Sequence, residues 1–200
     1  LKDYEKAIYF YCESLENNNQ NYNVMNCLGL CYTEMGDFKK GEETLYNSLN
    51  ICENDVAYNN LGYLFSKQNN FEKAEYFFNQ AVNINYNYPD PHLNLALLLL
   101  SNNNYNEGLK KYEWRLKNNT NTIFTYDFDT SYKRWNKNIP LEGKILLIHA
   151  EQGLGDTIQF SRFIDHFICK NIIIVFKVQD CLVELLCNMN KDIKVIGNKE

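Results

Sequence analysis

The sequence contains neither an apolar run long enough to cross a membrane nor an excess of positive charge. Its longest apolar runs, Leu95–Leu100 and Ile172–Phe176, fall far short of the ~20 residues that a spanning helix needs. The net charge is -5, and no basic patch or RNP-like motif is present, so we expect no nucleic-acid partner. With 200 residues, 45% of them hydrophobic, the chain can bury the core of one or two domains.

Patterns for metal binding are also missing. None of the seven cysteines forms a C-x-x-C pair. Cys27 and Cys31 are four residues apart, but no Cys or His follows them at zinc spacing. We therefore predict no metal site and reduced, mostly buried thiols, as in a cytoplasmic protein.

The N-terminal half repeats with a period near 34 residues. A leucine and a small residue recur together at Leu28-Gly29, Leu61-Gly62 and Leu95-Ala96. In each copy a large residue comes three positions later, followed by turn residues, an aromatic residue, a small residue and another large one. These positions hold Tyr32, Phe65 and Leu99; Phe38, Phe71 and Tyr105; Gly41, Ala74 and Gly108; and Leu45, Phe78 and Tyr112.

This order of residues resembles the tetratricopeptide repeat, a pair of antiparallel helices. The resemblance covers residues 1–116 and predicts an α solenoid of three whole repeats preceded by a half repeat that includes Tyr4–Tyr11. The small residues would let the two helices of a repeat approach closely, and each hairpin would bury its apolar face against its neighbours. Pro89 and Pro91 suit the first turn of a helix in the last repeat.

Such a solenoid is expected to present a concave surface lined by the first helix of each repeat. The residues just before the repeated leucine, Cys27, Asn60 and Asn94, would point toward it. In the similar superhelix of protein O-GlcNAc transferases, asparagines at this position hold the backbone of a peptide acceptor. An amide can donate to and accept from a peptide unit, so Asn60 and Asn94 are candidate groove residues. The alternative is chance, because asparagine is abundant throughout the chain.

After the solenoid, residues 117–142 show no helical period and are predicted to form a connector that packs through its aromatic side chains. Trp114 and Trp135 are interpreted as packing residues. Residues 143–200 then change to a β-α-β-α-β order. The predicted strands are Lys144–Ala150, Asn171–Lys177 and a third beginning at Ile193, and the predicted helices are Asp156–Cys169 and Cys181–Met189. This order implies an α/β segment with a parallel, Rossmann-like sheet.

A glycine-containing loop, Glu151–Phe160, follows the first of these strands. Ligands of such sheets bind at the carboxyl ends of the strands, so the loop is a candidate site. The spacing of Gly153 and Gly155 lacks the third glycine of G-x-G-x-x-G, and no Walker G-K-[S/T] is present. Asp156 has a structural alternative, because Asp with Gln159 three residues later fits a helix N-cap and capping box.

The uninterrupted motif from Gly143 to Arg162, with His149-Ala150-Glu151-Gln152-Gly153-Leu154-Gly155-Asp156-Thr157 at its centre, resembles bacterial tetratricopeptide-repeat glycosyltransferases. The C-terminal part of those proteins is similar to the heptosyltransferase family of GT-B enzymes. The later segments Val178–Leu186 and Ile193–Ile196 fit the same family. The resemblance implies transfer of a sugar from a nucleotide-sugar donor to a hydroxyl of a protein or glycan, without a metal or resident cofactor.

The resemblance also implies roles for individual residues. Asp156 matches the aspartate placed as general base, which would accept the proton of the attacking hydroxyl. Gly153 and Gly155 would allow close backbone approach to the acceptor or a phosphate. Gln152, Thr157 and Gln159 would line the pocket. His149 and His166 are interpreted as structural.

A GT-B enzyme has two Rossmann-like halves, and the nucleotide sugar binds mostly to the second. The sequence ends at Glu200, soon after the third predicted strand, and begins at Leu1 inside a pattern. We therefore expect a fragment or a degenerate gene product that does not transfer sugar by itself. The alternative function is a non-catalytic scaffold that binds peptides or proteins along the repeats.

Overall fold

The computed structural model describes residues 3–117, 135, 138–151, 153–168 and 171–197, in two compact units divided between Thr120 and Asn121. The first unit is helical. Its helices are α1 (Tyr4–Asn17), α2 (Tyr22–Met35), α3 (Phe38–Ile51), α4 (Asp55–Lys67), α5 (Phe71–Ile84), α6 (Pro89–Ser101) and α7 (Tyr105–Tyr112), followed by a 3-10 helix at Glu113–Lys117.

These helices confirm the predicted solenoid. The pairs α2/α3, α4/α5 and α6/α7 are helical hairpins, and α1 packs on α2 as the half repeat. Helix α1 has no buried residue, whereas the centre of the solenoid holds the largest apolar core. The buried members of that core are Leu45, Leu61, Leu64, Phe65, Ala74, Phe77, Phe78, Leu95 and Leu98.

The abundant asparagines have a local structural role. Asn21, Asn54 and Asn70 are N-caps whose side-chain oxygens accept from the backbone N–H three residues later. Asn69 and Asn103 have left-handed backbone angles, φ 59° and 61°, between the two helices of their hairpins. Gly36 occupies the same place in the preceding repeat with φ 82°. Asparagine tolerates this conformation better than most residues, which explains its use at these turns.

A glycine lies against a large side chain inside each hairpin. A Cβ atom at Gly62 would be 2.5 Å from Cδ1 of Phe78, and one at Gly29 would be 2.6 Å from Cγ of Leu45. In the last hairpin, a Cβ at Gly108 would be 2.8 Å from Cγ of Leu100. A Cβ atom at these distances would force the large side chain to shift, so the three glycines allow the two helices of each hairpin to lie close together.

We predict that Gly62→Ala lowers the free energy of unfolding by about 1–3 kcal/mol, because the added methyl group overpacks against Phe78. Urea unfolding followed by far-UV circular dichroism measures the change. Phe78→Leu makes room for the methyl group at the cost of some core volume. The double variant should therefore lose less stability than the sum of the two single variants, and strict additivity would contradict the proposed contact.

The last repeat ends in a ring stack. Trp114 lies parallel to the imidazole of His92, with ring centroids 3.8 Å apart, and Tyr86 meets both rings edge-on. His92 is buried, and its Nε2 lies 2.8 Å from the carbonyl oxygen of Tyr86. That nitrogen therefore carries the hydrogen, whereas the buried Nδ1 has no hydrogen-bond partner among the described residues. Packing is thus the role of Trp114, as its sequence context indicates.

Burial lowers the pKa of His92, because a second proton would place an unpaired charge inside the solenoid. In the unfolded chain a histidine titrates near about 6.5. The contribution of neutral His92 to stability is therefore fully present above that pH and is lost as the pH falls through the lower pKa of the folded state.

We predict that the free energy of unfolding falls more between pH 7.5 and pH 5 in the natural protein than in His92→Gln. Glutamine can still donate to the Tyr86 carbonyl but does not titrate. Urea unfolding at each pH gives the two differences, and the other titrating groups cancel between the proteins. Parallel pH profiles would show that His92 does not titrate with folding.

The second unit contains a small parallel sheet. Strands β1 (Ile145–His149), β2 (Ile173–Lys177) and β3 (Ile193–Ile196) lie in the order β1-β2-β3, and Ile145 pairs with Ile173 while Ile174 pairs with Ile193. The helices of this unit are α8 (Leu154–Ser161), α9 (Asp165–Ile168) and α10 (Val183–Leu186), with a 3-10 helix at Asp180–Leu182. The predicted parallel sheet is confirmed; its membership of a GT-B domain stays a prediction.

The two helices predicted in this unit are wrong in length. The first is divided into α8 and α9 by a turn in which the N–H groups of Phe163 and Ile164 bond to carbonyls three residues back. The turn brings Ile164 into the core, while Ile158, Phe160 and Phe163 remain exposed. The second consists of the 3-10 helix, which continues directly into α10 and ends at Leu186, three residues before the predicted end. Tertiary packing therefore overrides the helical spacing of the apolar residues.

One face of the sheet packs against the helices, and the other lies open. Leu146, Ile174 and Ile193 are buried, whereas Ile145 is 68% and Ile173 62% exposed. The apolar runs Lys144–Ala150 and Asn171–Lys177 predict buried strands, and this prediction is wrong for one face of β1 and β2. Among the described residues, no helix combines the length and apolar character of a membrane span, and all cysteines other than Cys169, which lies outside them, are free thiols.

Most of the predicted connector lies outside the described residues. Trp135 is described, and its indole Nε1 donates to the carbonyl of Ile139 over 2.8 Å. Its ring meets that of Phe167 edge-on, with centroids 5.9 Å apart. Trp135 thus packs within the second unit, as the sequence predicts.

Candidate functional site

The first helices of two neighbouring repeats, α4 and α6, form a shallow depression together with α5, here called the first-helix groove. It has a volume of about 180 Å³. Asn94, Leu97, Leu98 and Ser101 are spaced i, i+3, i+4 and i+7 on α6 and therefore share one face of that helix. The groove is lined by these four residues and by Tyr63, Ser66, Phe71 and Phe78.

The wall of the groove formed by Tyr63 is held in place by charged neighbours. The Tyr63 hydroxyl donates to Oε1 of Glu34 over 2.7 Å, and the Tyr4 hydroxyl reaches the other oxygen of the same carboxylate at 3.4 Å. The Lys67 ammonium lies 5.1 Å from the centroid of the Tyr63 ring. Burial, followed by the Glu34 hydrogen bond, raises the pKa of Tyr63, so the hydroxyl stays neutral near pH 7. The ring is thereby fixed from α1, α2 and its own helix.

A buried polar cluster joins the first two whole repeats. Ser48 donates to Oδ1 of Asn26 over 2.6 Å, and the Asn26 amide donates to Oδ1 of Asn54 over 2.9 Å. The same Asn54 oxygen caps α4 through the N–H of Ala57. Because buried amides must be paired, the three side chains fix α2, α3 and α4 relative to one another.

The two asparagines predicted for the groove occupy different environments. Asn60 is only 7% exposed, and its amide donates to the backbone carbonyl of Asn26 over 3.2 Å. Asn94 lines the groove, and its amide donates to Oδ1 of Asn59 over 2.9 Å. The side-chain oxygen Oδ1 of Asn94 accepts no hydrogen bond from another described residue. Peptide binding by either residue stays a prediction, but only Asn94 is placed to make contact.

The glycine loop of the second unit lies at the carboxyl end of β1. Gly153 and Gly155 are exposed, and a Cβ at Gly155 would meet no atom within 4 Å. Space for a ligand is therefore present around this loop. Asp156 lies half-buried in the first turn of α8. A carboxylate is electrostatically favoured there by the helix dipole.

The residues predicted to line a pocket here are only partly brought together. Thr157 is buried, and its hydroxyl lies 3.0 Å from Oε1 of Gln179, which follows β2. This contact ties the loop to the neighbouring strand. Gln159 is exposed, and Gln152 lies outside the described residues.

The capping alternative for Asp156 is wrong. Helix α8 begins at Leu154, its N-cap is Gly153, and no side chain caps it. Asp156 is therefore the third residue of the helix, and it and Gln159 do not form a capping box. The helix begins two residues before Asp156, which the spacing of Asp156 and Gln159 alone did not indicate.

Within the described ranges there is no cluster of three or more His, Cys, Asp or Glu side chains that could hold a metal ion. Sequence reasoning missed Tyr63, Leu97 and Ser101 as groove residues. The sequence spacing could have identified them, because each lies one or two helical turns after Asn60 or Asn94 and therefore on the same helix face.

The helical unit matches a known repeat family. The family model for the tetratricopeptide repeat matches residues 21–87. BBSome complex member BBS4 of Bos taurus is 29% identical over 85 residues, which are 42% of this chain and 16% of that protein. The mouse protein of the same name is 27% identical over the same length. The match thus spans about a sixth of the length of these curated relatives.

Several solved structures are also similar. The crystal structure of a MamA protein covers 57% of this chain and 63% of its own, with 23% identity and a TM-score of 0.46. Pseudomonas aeruginosa pilF covers 54% of this chain and 50% of its own, with 21% identity and a TM-score of 0.47. Neither the family model nor these relatives support a glycosyltransferase.

The matched segment begins at the N-cap of α2 and ends in the turn before α6, so it includes two complete hairpins. The glycines in contact with Leu45 and Phe78 lie in those two hairpins, at the small-residue position of the repeat pattern. The helical unit of this chain is a solenoid of tetratricopeptide repeats.

Proposed function

We propose that the solenoid is a protein-interaction scaffold that holds an extended segment of a partner protein in the first-helix groove. The observation that carries this proposal is Leu97, which is 56% exposed between the polar side chains of Asn94 and Ser101. An apolar side chain flanked by hydrogen-bonding groups suits an extended peptide, because such a peptide offers apolar side chains next to backbone N–H and C=O groups.

The proposed chemistry is specific at two residues. Leu97 would contact an apolar side chain of the partner, removing both from water. The side-chain oxygen Oδ1 of Asn94 would accept a hydrogen bond from a backbone N–H of the partner, while the side-chain amide of Asn94 still donates to Asn59. Asn60 would support the groove from below rather than touch the peptide, because its amide is bonded to Asn26.

The relatives support this proposal without identifying a partner. BBS4 is named as a member of a complex, and a role in assembly is what a repeat scaffold would share with it. The solenoid also has the fixed surface that such binding needs, since Tyr63 is held by Glu34. Preformed walls reduce the entropy lost when a flexible segment binds.

We predict that Leu97→Asp weakens peptide binding at least about tenfold, because a carboxylate would be desolvated against the apolar side chain of the peptide. The probe is a peptide selected from a random phage-displayed library on the whole chain, and the measurement is titration calorimetry. The matched control is Leu109→Asp, since Leu109 is a similarly exposed leucine on α7 outside the groove.

The control should bind the peptide as the natural chain does, and Asn94→Ala should bind it more weakly. Selection of peptides whose affinity is the same for the natural chain and Leu97→Asp would place binding elsewhere. A library that yields no peptide above background would remove the groove proposal itself.

Sugar transfer is the second candidate function. It is favoured by one feature, the two uncrowded glycines and Asp156 at the carboxyl end of β1. In this proposal Asp156 accepts the proton of an acceptor hydroxyl, and the glycines allow close approach of the acceptor. The role of the groove would be to bind a protein acceptor. The nucleotide-sugar donor would bind mainly to a second Rossmann-like half.

We expect Asp156→Asn to lower the rate of sugar transfer by the full-length gene product by about 10²–10⁴-fold, the usual contribution of a general base. Nucleotide release from pooled nucleotide sugars measures the rate. Asp165→Asn is the control, because Asp165 is an exposed carboxylate on the next helix. Equal rates for the natural protein and Asp156→Asn would eliminate the base, and no release by the natural protein would leave the scaffold as the function.

A further inference from the structure

A second depression shares no lining residue with the first-helix groove. It is formed by α3, the start of α4 and α5, and has a volume of about 550 Å³. Three tyrosines, Tyr46, Tyr58 and Tyr76, stand around Phe77, with Glu53 at the rim. These five residues are called the tyrosine cage below. Asn50 and Leu49 complete the lining.

All three tyrosine rings lie against Phe77, two of them edge-on and one stacked. Tyr76 and Tyr46 meet the Phe77 ring edge-on, with centroid distances of 5.1 and 6.4 Å. Tyr58 stacks on it at 6.3 Å. Among the described residues no ring contact joins one of these tyrosines to another, so the space between them stays open. A buried phenylalanine thus forms the floor and three aromatic rings form the walls.

The walls are more exposed than packing alone requires. Tyr76 is 58% and Tyr46 40% exposed, whereas Phe77 is buried. Large aromatic side chains that serve only as core remove most of their surface from water. The exposed rings therefore present π faces and edges to a ligand.

The charges around the cage are negative. The Tyr58 hydroxyl donates to Oε1 of Glu53 over 3.1 Å. Burial, and then the carboxylates Glu53 and Glu42, raise the pKa values of Tyr58 and Tyr46. Both hydroxyls therefore stay neutral near pH 7, and the charge of the site belongs to the carboxylates.

The lysines of the flanking helices are engaged elsewhere. Lys40 pairs with Asp37 over 2.9 Å, and Lys39 also acts on that carboxylate. The Lys73 ammonium lies 4.7 Å from the centroid of the Phe65 ring, and Phe65 is not one of the cage residues. The cage thus has anionic and aromatic groups whose complement is a cation.

We propose that the tyrosine cage binds a methylated ammonium group, such as a trimethyllysine side chain or choline. Ring quadrupoles attract a cation held within about 6 Å, and quaternary ammonium groups are bound in this way by aromatic cages. A methylated ammonium needs no hydrogen-bond acceptors, which suits a site where one oxygen of Glu53 is already engaged by Tyr58. A guanidinium would instead require a free pair of acceptor oxygens.

The test compares a cation with its uncharged analogue of the same shape. Choline chloride and 3,3-dimethyl-1-butanol are titrated separately into the whole chain, with sodium chloride matched to the choline samples. The tyrosine ring signals are followed by NMR. Saturating shifts of the cage tyrosines with choline, and affinity at least about threefold weaker for the alcohol, are expected.

Two variants locate the binding. Tyr76→Leu removes a π wall but keeps an apolar side chain, and Glu53→Gln removes the charge but keeps the acceptor oxygen for Tyr58. Each should weaken choline binding by about three- to tenfold. Tyr9→Leu is the control, because Tyr9 is an exposed tyrosine on α1 outside the cage. It should bind choline unchanged.

A further arm separates the two sources of the cation. A tripeptide with trimethyllysine at its centre is compared with choline and with the same tripeptide carrying norleucine. Tighter binding of the trimethyllysine peptide assigns the cage to a protein side chain, and tighter binding of choline assigns it to a small molecule. Equal shifts for choline and the alcohol, or affinities that neither cage variant changes, would show that the tyrosines are packing residues only.

Discussion

The helical unit depends on a glycine in each hairpin that leaves room for a large side chain of the partner helix. Phe78 occupies space that a Cβ at Gly62 would need, and Leu45 does the same at Gly29. Because protein interiors are packed without spare volume, this contact fixes the distance between the two helices. Both depressions include residues of α4 and α5, the hairpin whose spacing depends on the contact between Gly62 and Phe78.

Contacts between hairpins are less uniform than contacts within them. Asn26, Ser48 and Asn54 form a closed polar cluster between the first two whole repeats. At the next junction the Asn94 side-chain amide of α6 donates to Oδ1 of Asn59 on α4 over 2.9 Å. Both arrangements pair buried polar groups, and each hydrogen bond contributes on the order of 1 kcal/mol. The repeat pattern constrains helix spacing strongly and leaves the choice of polar partners free.

The solenoid was predictable from sequence because its signal is a repeated spacing. The pairs Leu28-Gly29 and Leu61-Gly62 reflect contacts within one hairpin, and the same spacing recurs in the next hairpin along the sequence. The burial of Asn60 was not predictable in this way, because its partner is a backbone carbonyl 34 residues earlier. The tyrosine cage combines three helices, so its members share no local pattern. In the second unit the strands were apparent, but the break between α8 and α9 depends on where Ile164 enters the core.

The absence of buried residues in α1 has a consequence for how the solenoid opens. A helix without buried residues detaches at a lower cost in free energy than a helix that carries core residues. Local opening should therefore involve α1 while α4 and α5, which hold most of the core, remain closed. When α1 detaches, Tyr4 loses its contact with Glu34, and the Glu34 carboxylate is then bonded to Tyr63 without Tyr4. Detachment of α1 is thus coupled, through a single carboxylate, to the order of a side chain in the binding groove.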